Sequence, residues 1–528
     1  MRATGGNGPR TIPALVARAA AEFGDREALV DGDLRWTFSE LAAEVHRCAG
    51  AMIAAGVSPG DRVAVWAPNG HRFVVAALGA VTAGAVLVPV NTRFKGGEAA
   101  WILGKSRARL LLVENGFLGN DYVAMLAETE ADVEAAAEAG DRVSLGADIR
   151  PQRHTIIMPG GDWDGFLAHG LGVDAGARAE QVTENDIADM FFTSGTTGRP
   201  KGVLAAHAQN IRVFEAWADG VGLRSGDRYL IVNPMFHTFG YKAGVLACLL
   251  RGATMVSQPV FDVARTLELI EAEKISVLPG PPTLYASILD HPAARGANLE
   301  SLRLAVTGAA IVPVRLIERM QAELFKQVVI AYGLTESCGT VTVGDPRTDP
   351  ELMSRTVGKA IEGTEVRTAE TGEVLVRGYN VMRGYFEDPE ATKAAIDEDG
   401  WLHTGDVGSL DTDGNLRITD RLKDMYITGG FNVYPAEVEQ ALARHPAVSE
   451  AAVVGVPDPG ERLGEVGLAY VILRPGQTAT ETEIIGYCRE RMANFKVPRG
   501  IRVVDALPRN ASGKVLKYEL RSRPGTPT

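Results

Sequence analysis

Ten consecutive residues concentrate groups that could hold a phosphate: Thr193-Ser194-Gly195-Thr196-Thr197-Gly198-Arg199-Pro200-Lys201-Gly202. Gly195, Gly198 and Gly202 let the backbone approach a ligand closely and reach positive φ. The hydroxyls of Ser194, Thr196 and Thr197 and the backbone N–H groups around them can bond phosphate oxygens, and Lys201 adds a cation. Taken alone, a loop of this composition could equally be a solvated surface turn. The spacing matches neither G-x-x-x-x-G-K-S/T nor G-x-G-x-x-G, which disfavours a P-loop kinase and a Rossmann dehydrogenase.

Four further segments carry chemistry. Tyr332-Gly333-Leu334-Thr335-Glu336 ends an apolar run that reads as a strand, the place where open α/β sheets bind ligands. Trp401-Leu402-His403-Thr404-Gly405-Asp406 offers a carboxylate, which can accept two hydroxyl protons at once. Pro234-Met235-Phe236-His237-Thr238-Phe239-Gly240 sets a histidine among aromatics, and Pro508–Lys514 puts a lysine on a glycine-bearing loop. Each has an ordinary reading by itself: a capping glutamate, a turn aspartate, a hydrogen-bonded core histidine, a solvated lysine.

In this order, and over nearly the whole chain, these segments resemble the motifs of the adenylate-forming superfamily, which contains acyl-CoA synthetases, peptide-synthetase adenylation domains and beetle luciferases. The resemblance implies ATP, Mg²⁺ and coenzyme A as cofactors and a small-molecule carboxylic acid as partner. It gives Thr193, Ser194, Gly195, Thr196, Thr197 and Lys201 to the ATP phosphates. Tyr332 would stack on adenine beside Gly333, Thr335 would bond the α-phosphate, and Glu336 would hold Mg²⁺, a hard cation that prefers oxygen. Asp406 would take the ribose diol. Arg421 would contact ribose and phosphate, next to Asp420, where many relatives carry glycine. Gly430 and Phe431 would line the channel for the pantetheine arm of CoA. The catalytic set implied is Lys514, Thr193, His237 and Glu336, with Lys514 bridging substrate carboxylate and α-phosphate. Its P-x-x-x-x-G-K setting also resembles sites read by lysine acetyltransferases.

The acyl pocket implied by the resemblance is walled by His237, Phe239, Tyr241, Gly308, Ala309 and Leu334. Small Gly308 and Ala309 leave room for a bulky or cyclic acid. The stretches Phe239–Gly244, Leu278–Thr283 and Asp420–Tyr426 are similar to one actinobacterial subgroup that ligates CoA to a bicyclic indanedione propanoate left from steroid rings. Alternatives are a medium- or long-chain fatty acid, an adenylating enzyme that loads a carrier protein, and a silent acyl-nucleotide binder. Intact Lys514, Glu336 and phosphate loop speak against the last.

These groups need a scaffold of strands ending near one another. Arg62–Trp66, Val86–Val90 and Ala108–Val113 read as strands, with a helix over His71–Ala83 and a surface helix or insertion at Leu126–Gly140. A second alternating run has strands at Met190–Thr193, Tyr229–Val232, Ser276–Leu278, Leu302–Val306 and Val328–Ala331, with a helix at Val263–Lys274. Such β-α-β order predicts parallel sheet covered by helices. Beyond residue 360 the segments are shorter and more β-like. From about 421 they read as a compact α+β unit with strands Ala451–Val456, Gly467–Leu473 and Ile501–Val504, a helix at Glu481–Met492, and another begun by Pro435 whose Val438 and Leu442 face the core. The expected fold class is α/β: a large multi-sheet N-terminal body over 1–420, a hinge at 421–424 and a small mobile α+β domain over 425–528. The resemblance implies rotation about that hinge, at Lys423.

A chain of 528 residues exceeds what one core supports. The net charge of -12 argues against a nucleic-acid partner. No apolar run is long enough for a transmembrane segment, and Met1–Arg10 lacks a signal-like stretch, so a cytoplasmic protein is expected. Cys48, Cys248, Cys338 and Cys488 are too far apart for a zinc motif and read as free thiols. A homodimer is left open.

Overall fold

The computed structural model describes the chain except residues 1–7, 139–153, 194–199, 309–311, 422–423, 429–430, 434, 459–464, 491, 493, 511–512 and 524–528. Among the described residues two large sheets dominate. The first runs Lys359–Ala360, Thr342–Val343, Gln327–Tyr332, Leu304–Thr307, Val277–Pro279, Arg228–Ile231, Thr254–Ser257, Glu27–Asp31, Leu34–Thr37 in spatial order. The second runs Gly384–Tyr385, Lys201–Ala206, Ile187–Thr193, Val86–Pro89, Arg62–Trp66, Ala108–Glu114, His154–Met158. The centre of each is parallel, and the edges are antiparallel except at His154–Met158, which pairs parallel with Ala108–Glu114. The expectation of parallel sheet is therefore corrected at the margins, where hairpins such as Ile187–Thr193 with Lys201–Ala206 need only short connections.

Central strands are apolar on both faces, as in Arg62–Trp66, because helices cover both sides. Helices Phe38–Ala54 and His71–Thr82 share one core with residues of both sheets, among them Leu29, Val65, Leu87 and Met255. An antiparallel four-stranded sheet of Thr364–Thr368, Glu373–Gly378, Leu402–Leu410 and Leu416–Arg421 follows. The C-terminal part has its own sheet of Val448–Pro457, Glu465–Leu473 and Gly500–Val503, with a separate core that includes Val438, Leu442, Val453 and Ile484. Lys423, the expected hinge residue, lies outside the described residues. All four cysteines are buried free thiols, and no described helix is long and apolar enough to cross a membrane.

His207 shows how the N-terminal helix is tied down. Its Nδ1 accepts the N–H of Ile12 at 3.2 Å, satisfying one of the donors that the start of helix Ile12–Phe23 leaves open. Burial pushes its imidazole down, to about 4. The unfolded chain binds this proton near 6.5 and the folded chain only near 4, so the contribution is complete above 6.5 and is lost as pH falls toward 4. Urea melts at pH 7.5 and 4.5 should show a drop about 2–3 kcal/mol smaller in His207→Gln than in wild type. Equal drops would remove His207 from the acid response.

Candidate active site

The phosphate-loop hairpin closes with Thr193 paired to Lys201. Thr193 ends its strand, so its side chain is delivered to the carboxyl edge of the sheet. Its Oγ1 donates to Glu336 Oε1 at 3.3 Å, and Tyr385 OH donates to the same oxygen at 2.9 Å. Among the described residues no donor reaches Glu336 Oε2. Lys201 Nζ lies 5.2 Å from the Tyr385 ring centroid, a cation–π distance. Two segments 143 residues apart thus meet. Ser194, Gly195, Thr196 and Thr197 lie outside the described residues.

Tyr385 was missed by sequence reasoning. It sits on the two-residue strand Gly384–Tyr385, opposite Val203 on the edge of the hairpin sheet. Nothing in its local spacing marks it; only the pairing beside Lys201 brings it to Glu336. Burial, and then the Glu336 carboxylate, push its phenol well above the ordinary range, so it stays a donor.

Glu336 occupies the tight turn Thr335–Ser337. That turn depends on Gly333, where a Cβ would lie 2.2 Å from the Gly339 carbonyl oxygen. Tyr332 closes its strand and donates its OH to Asp406 Oδ2 at 2.6 Å. Asp406 is 2% exposed and stands opposite Arg421 across an antiparallel pair. Thr193, Glu336, Tyr332 and Asp406 therefore converge from both large sheets and the four-stranded sheet.

His237 precedes a helical turn, and its Nδ1 accepts the Phe239 N–H at 3.3 Å. The residue is exposed to solvent, in a region otherwise dense with protein. Desolvation pushes its imidazole down, to about 4, and it is neutral near pH 7 whether or not water surrounds it. Phe239 packs against the main core and Leu334 against the cluster around Val341 and Val374, so both lie half-buried at the margins of their cores.

Two pocket expectations are corrected. Tyr241 has no accessible surface: its ring lies 6.4 Å from Phe73 and 6.3 Å from Phe191, inside the core, so it walls no open pocket here. Gly308 is small for another reason, since a Cβ there would lie 2.2 Å from the Ala331 carbonyl oxygen. Its size admits the neighbouring backbone and is no measure of the acid. Ala309 lies outside the described residues.

Lys514 is exposed on a hairpin closed by the Arg509–Val515 bridge. Its N–H donates to Asn510 Oδ1 at 2.9 Å, and Gly513 adopts φ 81° to turn the chain. A Cβ built on Gly513 would lie 3.9 Å from Thr283 Oγ1, so the loop rests against the large body. Phe431 lies on a short strand paired to Thr428, and Gly430 lies outside the described residues. A cavity of about 360 Å³ bordered by Arg62, Val86, Arg178 and Phe386 opens at the starting ends of the strands, opposite the edge where Thr193 sits.

Sequence comparison gives the family. The AMP-binding enzyme family model matches residues 16–386, and the AMP-binding enzyme C-terminal domain model matches 437–514. The chain belongs to the AMP-binding enzymes. This AMP-binding enzyme is 52% identical, over 97% of its length and 98% of the relative, to the 7a-methyl-1,5-dioxo-octahydro-1H-inden-4-yl propanoyl:CoA ligase of Rhodococcus jostii (strain RHA1). It is equally 52% identical to the Mycobacterium tuberculosis ligase of the same name, over 98% of its own length and 99% of the relative. Among solved structures, the o-succinylbenzoate coenzyme A synthetase of Bacillus subtilis in complex with ATP and magnesium matches with a TM-score of 0.79, at 30% identity, over 96% of this AMP-binding enzyme and 99% of that chain.

Proposed function

We propose that this AMP-binding enzyme activates a carboxylic acid with ATP and transfers the acyl group to coenzyme A. The observation that carries the reading is the junction of Thr193, Glu336 and Tyr385 at the strand ends, with Tyr332 and Asp406 bonded alongside. Carboxylate and ATP repel each other, so the barrier is largely electrostatic and preorganised donors and cations lower it. Thr193 and Lys201 flank the loop that would cradle the phosphates, and Asp406 would anchor the ribose. The carboxylate attacks the α-phosphorus, pyrophosphate leaves, and the acyl-AMP formed is open to the CoA thiol.

Glu336 fits a magnesium site. Both described donors fall on Oε1, leaving Oε2 for a cation that takes only one or two carboxylates and completes its shell with water and phosphate. Bound there, Mg²⁺ would neutralise charge on the phosphates. Neutral His237 would shape the passage between acid and thiol without moving a proton.

In this reading residues 1–420 hold ATP and acid, and 425–528 turn about 421–424, with Lys423 at the hinge, so that Lys514 serves adenylation and then withdraws. Such hinges are a few residues that absorb large dihedral changes.

The proposed acid is a bulky alicyclic propanoate. Support comes from the named ligases at 52% identity and no longer from Gly308. AMP release with CoA, scored over a panel of acids, should favour the bicyclic indanedione propanoate over palmitate by at least about 100-fold in kcat/KM. A preference for palmitate would overturn the substrate, and release that needs a carrier protein would overturn the acceptor.

A further inference from the structure

Behind the site lies a set of wholly buried polar groups that no step above uses. Lys242 and Asp189 are each 1% exposed and form an ion pair, Nζ to Oδ1, of 2.9 Å. Asn210 Nδ2 donates to Asp189 Oδ2 at 2.7 Å. Cys338 Sγ donates to Asn210 Oδ1 at 3.6 Å and lies 3.5 Å from Lys242 Nζ. Lys242 also lies 5.1 Å from the Phe191 ring centroid. Burial pushes the Asp189 carboxyl up; it would push Lys242 down, but the facing carboxylate outweighs it and the lysine keeps its proton.

The four residues come from four pieces of chain, three of which carry the site. Asp189 lies on the strand that delivers Thr193. Lys242 lies in the π-helical turn Tyr241–Leu246, just beyond His237 and Phe239, and such turns recur at functional places. Cys338 follows Glu336 by two residues, with its backbone in the left-handed region at φ 58°. Asn210 lies on helix His207–Val221, which begins where the strand from Lys201 ends.

Stability does not account for such a network. A buried ion pair replaced by apolar groups of similar volume is often no less stable, whereas a pair that has lost one partner is badly destabilised. What the pair supplies is direction. If the Thr193 or the His237 segment slides, a charge is left without its partner in a dry interior, and if the Glu336 segment slides the Cys338 thiol leaves both Lys242 and Asn210, so the three segments hold one another in place.

We propose that the Asp189–Lys242 pair, completed by Asn210 and Cys338, is a positioning device that holds Thr193 and Glu336 in register with the His237–Phe239 segment. Phosphate and carboxylate are thereby brought together in line. The proposal rests on the adenylation reading above, and its residues act through their neighbours, not on substrate.

The test uses the full-length enzyme with Asp189→Asn and Lys242→Met combined, which removes both charges and keeps the volumes. Its melting midpoint should stay near that of wild type, while each single variant melts lower. Acid-dependent ATP–pyrophosphate exchange should lose about 100-fold in kcat, with KM for ATP and acid changed by less than about threefold. Lys242→Arg should recover part of the loss. A stable double variant with wild-type kcat would overturn the proposal, as would a kcat loss that merely follows the unfolded fraction. Hydrogen exchange reads the same lock without turnover. Amides beside Thr193, His237 and Glu336 should exchange about tenfold faster in the double variant, with strand Arg62–Trp66 unchanged. Unchanged exchange at all three overturns the positioning role whatever the enzyme turns over. A wild-type enzyme with no acid-dependent exchange would overturn the reaction alone.

Discussion

Lys514→Ala is expected to slow acyl-adenylate formation by about 10²–10³-fold and to leave thioester formation from supplied acyl-AMP within about threefold of wild type. In the proposed mechanism the ammonium would be needed only while negative charge builds on the α-phosphate. Its place on an exposed hairpin, on a loop resting near Thr283, suits a group brought in by one part of the chain to serve the other. The hairpin is closed by backbone bonds between Asn510 and its neighbours, so truncating the lysine leaves the loop itself intact. Rapid-quench assays of each half-reaction decide the matter. Equal losses in both would mean that Lys514 does not leave the site, and would remove the reason for a hinge at 421–424.

Glu336→Gln is expected to cost about 10²-fold in kcat and to raise the magnesium concentration for half-maximal rate several-fold. Glutamine keeps the size and a carbonyl oxygen, so Thr193 Oγ1 and Tyr385 OH retain an acceptor. What goes is the charge that would draw the cation to Oε2. A magnesium dependence identical to wild type would show that Glu336 organises its neighbours without holding metal.

The central strands were legible because parallel strands covered on both faces are unbroken apolar runs, as in Arg62–Trp66 and Gln327–Tyr332. The edges were not. Leu34–Thr37 and Gly384–Tyr385 are short and owe their form to a partner strand distant in sequence or to a turn. Motif residues with distinctive spacing were found, and Thr193 and Glu336 do meet. Tyr385 was invisible because its role arises only from pairing beside Lys201. Tyr241 was expected in the pocket wall: sequence marks it as near the histidine motif but cannot say that Phe73 and Phe191 enclose it. Gly308 was misjudged because a small residue looks the same whether it makes room for ligand or for backbone.

That last point bears on any attempt to breed a new acid preference into this scaffold. Glycine 308 invites saturation mutagenesis as an obvious dial for pocket size, yet every other residue there must first displace the Ala331 carbonyl of the adjoining strand. Variants at Gly308 would be lost at the expression screen before selectivity could be scored, and survivors would report a moved strand, not a resized pocket. Diversity spent on Phe239 and Leu334, which lie half-buried at the rims of two different cores, would explore acid shape while leaving the sheet in place.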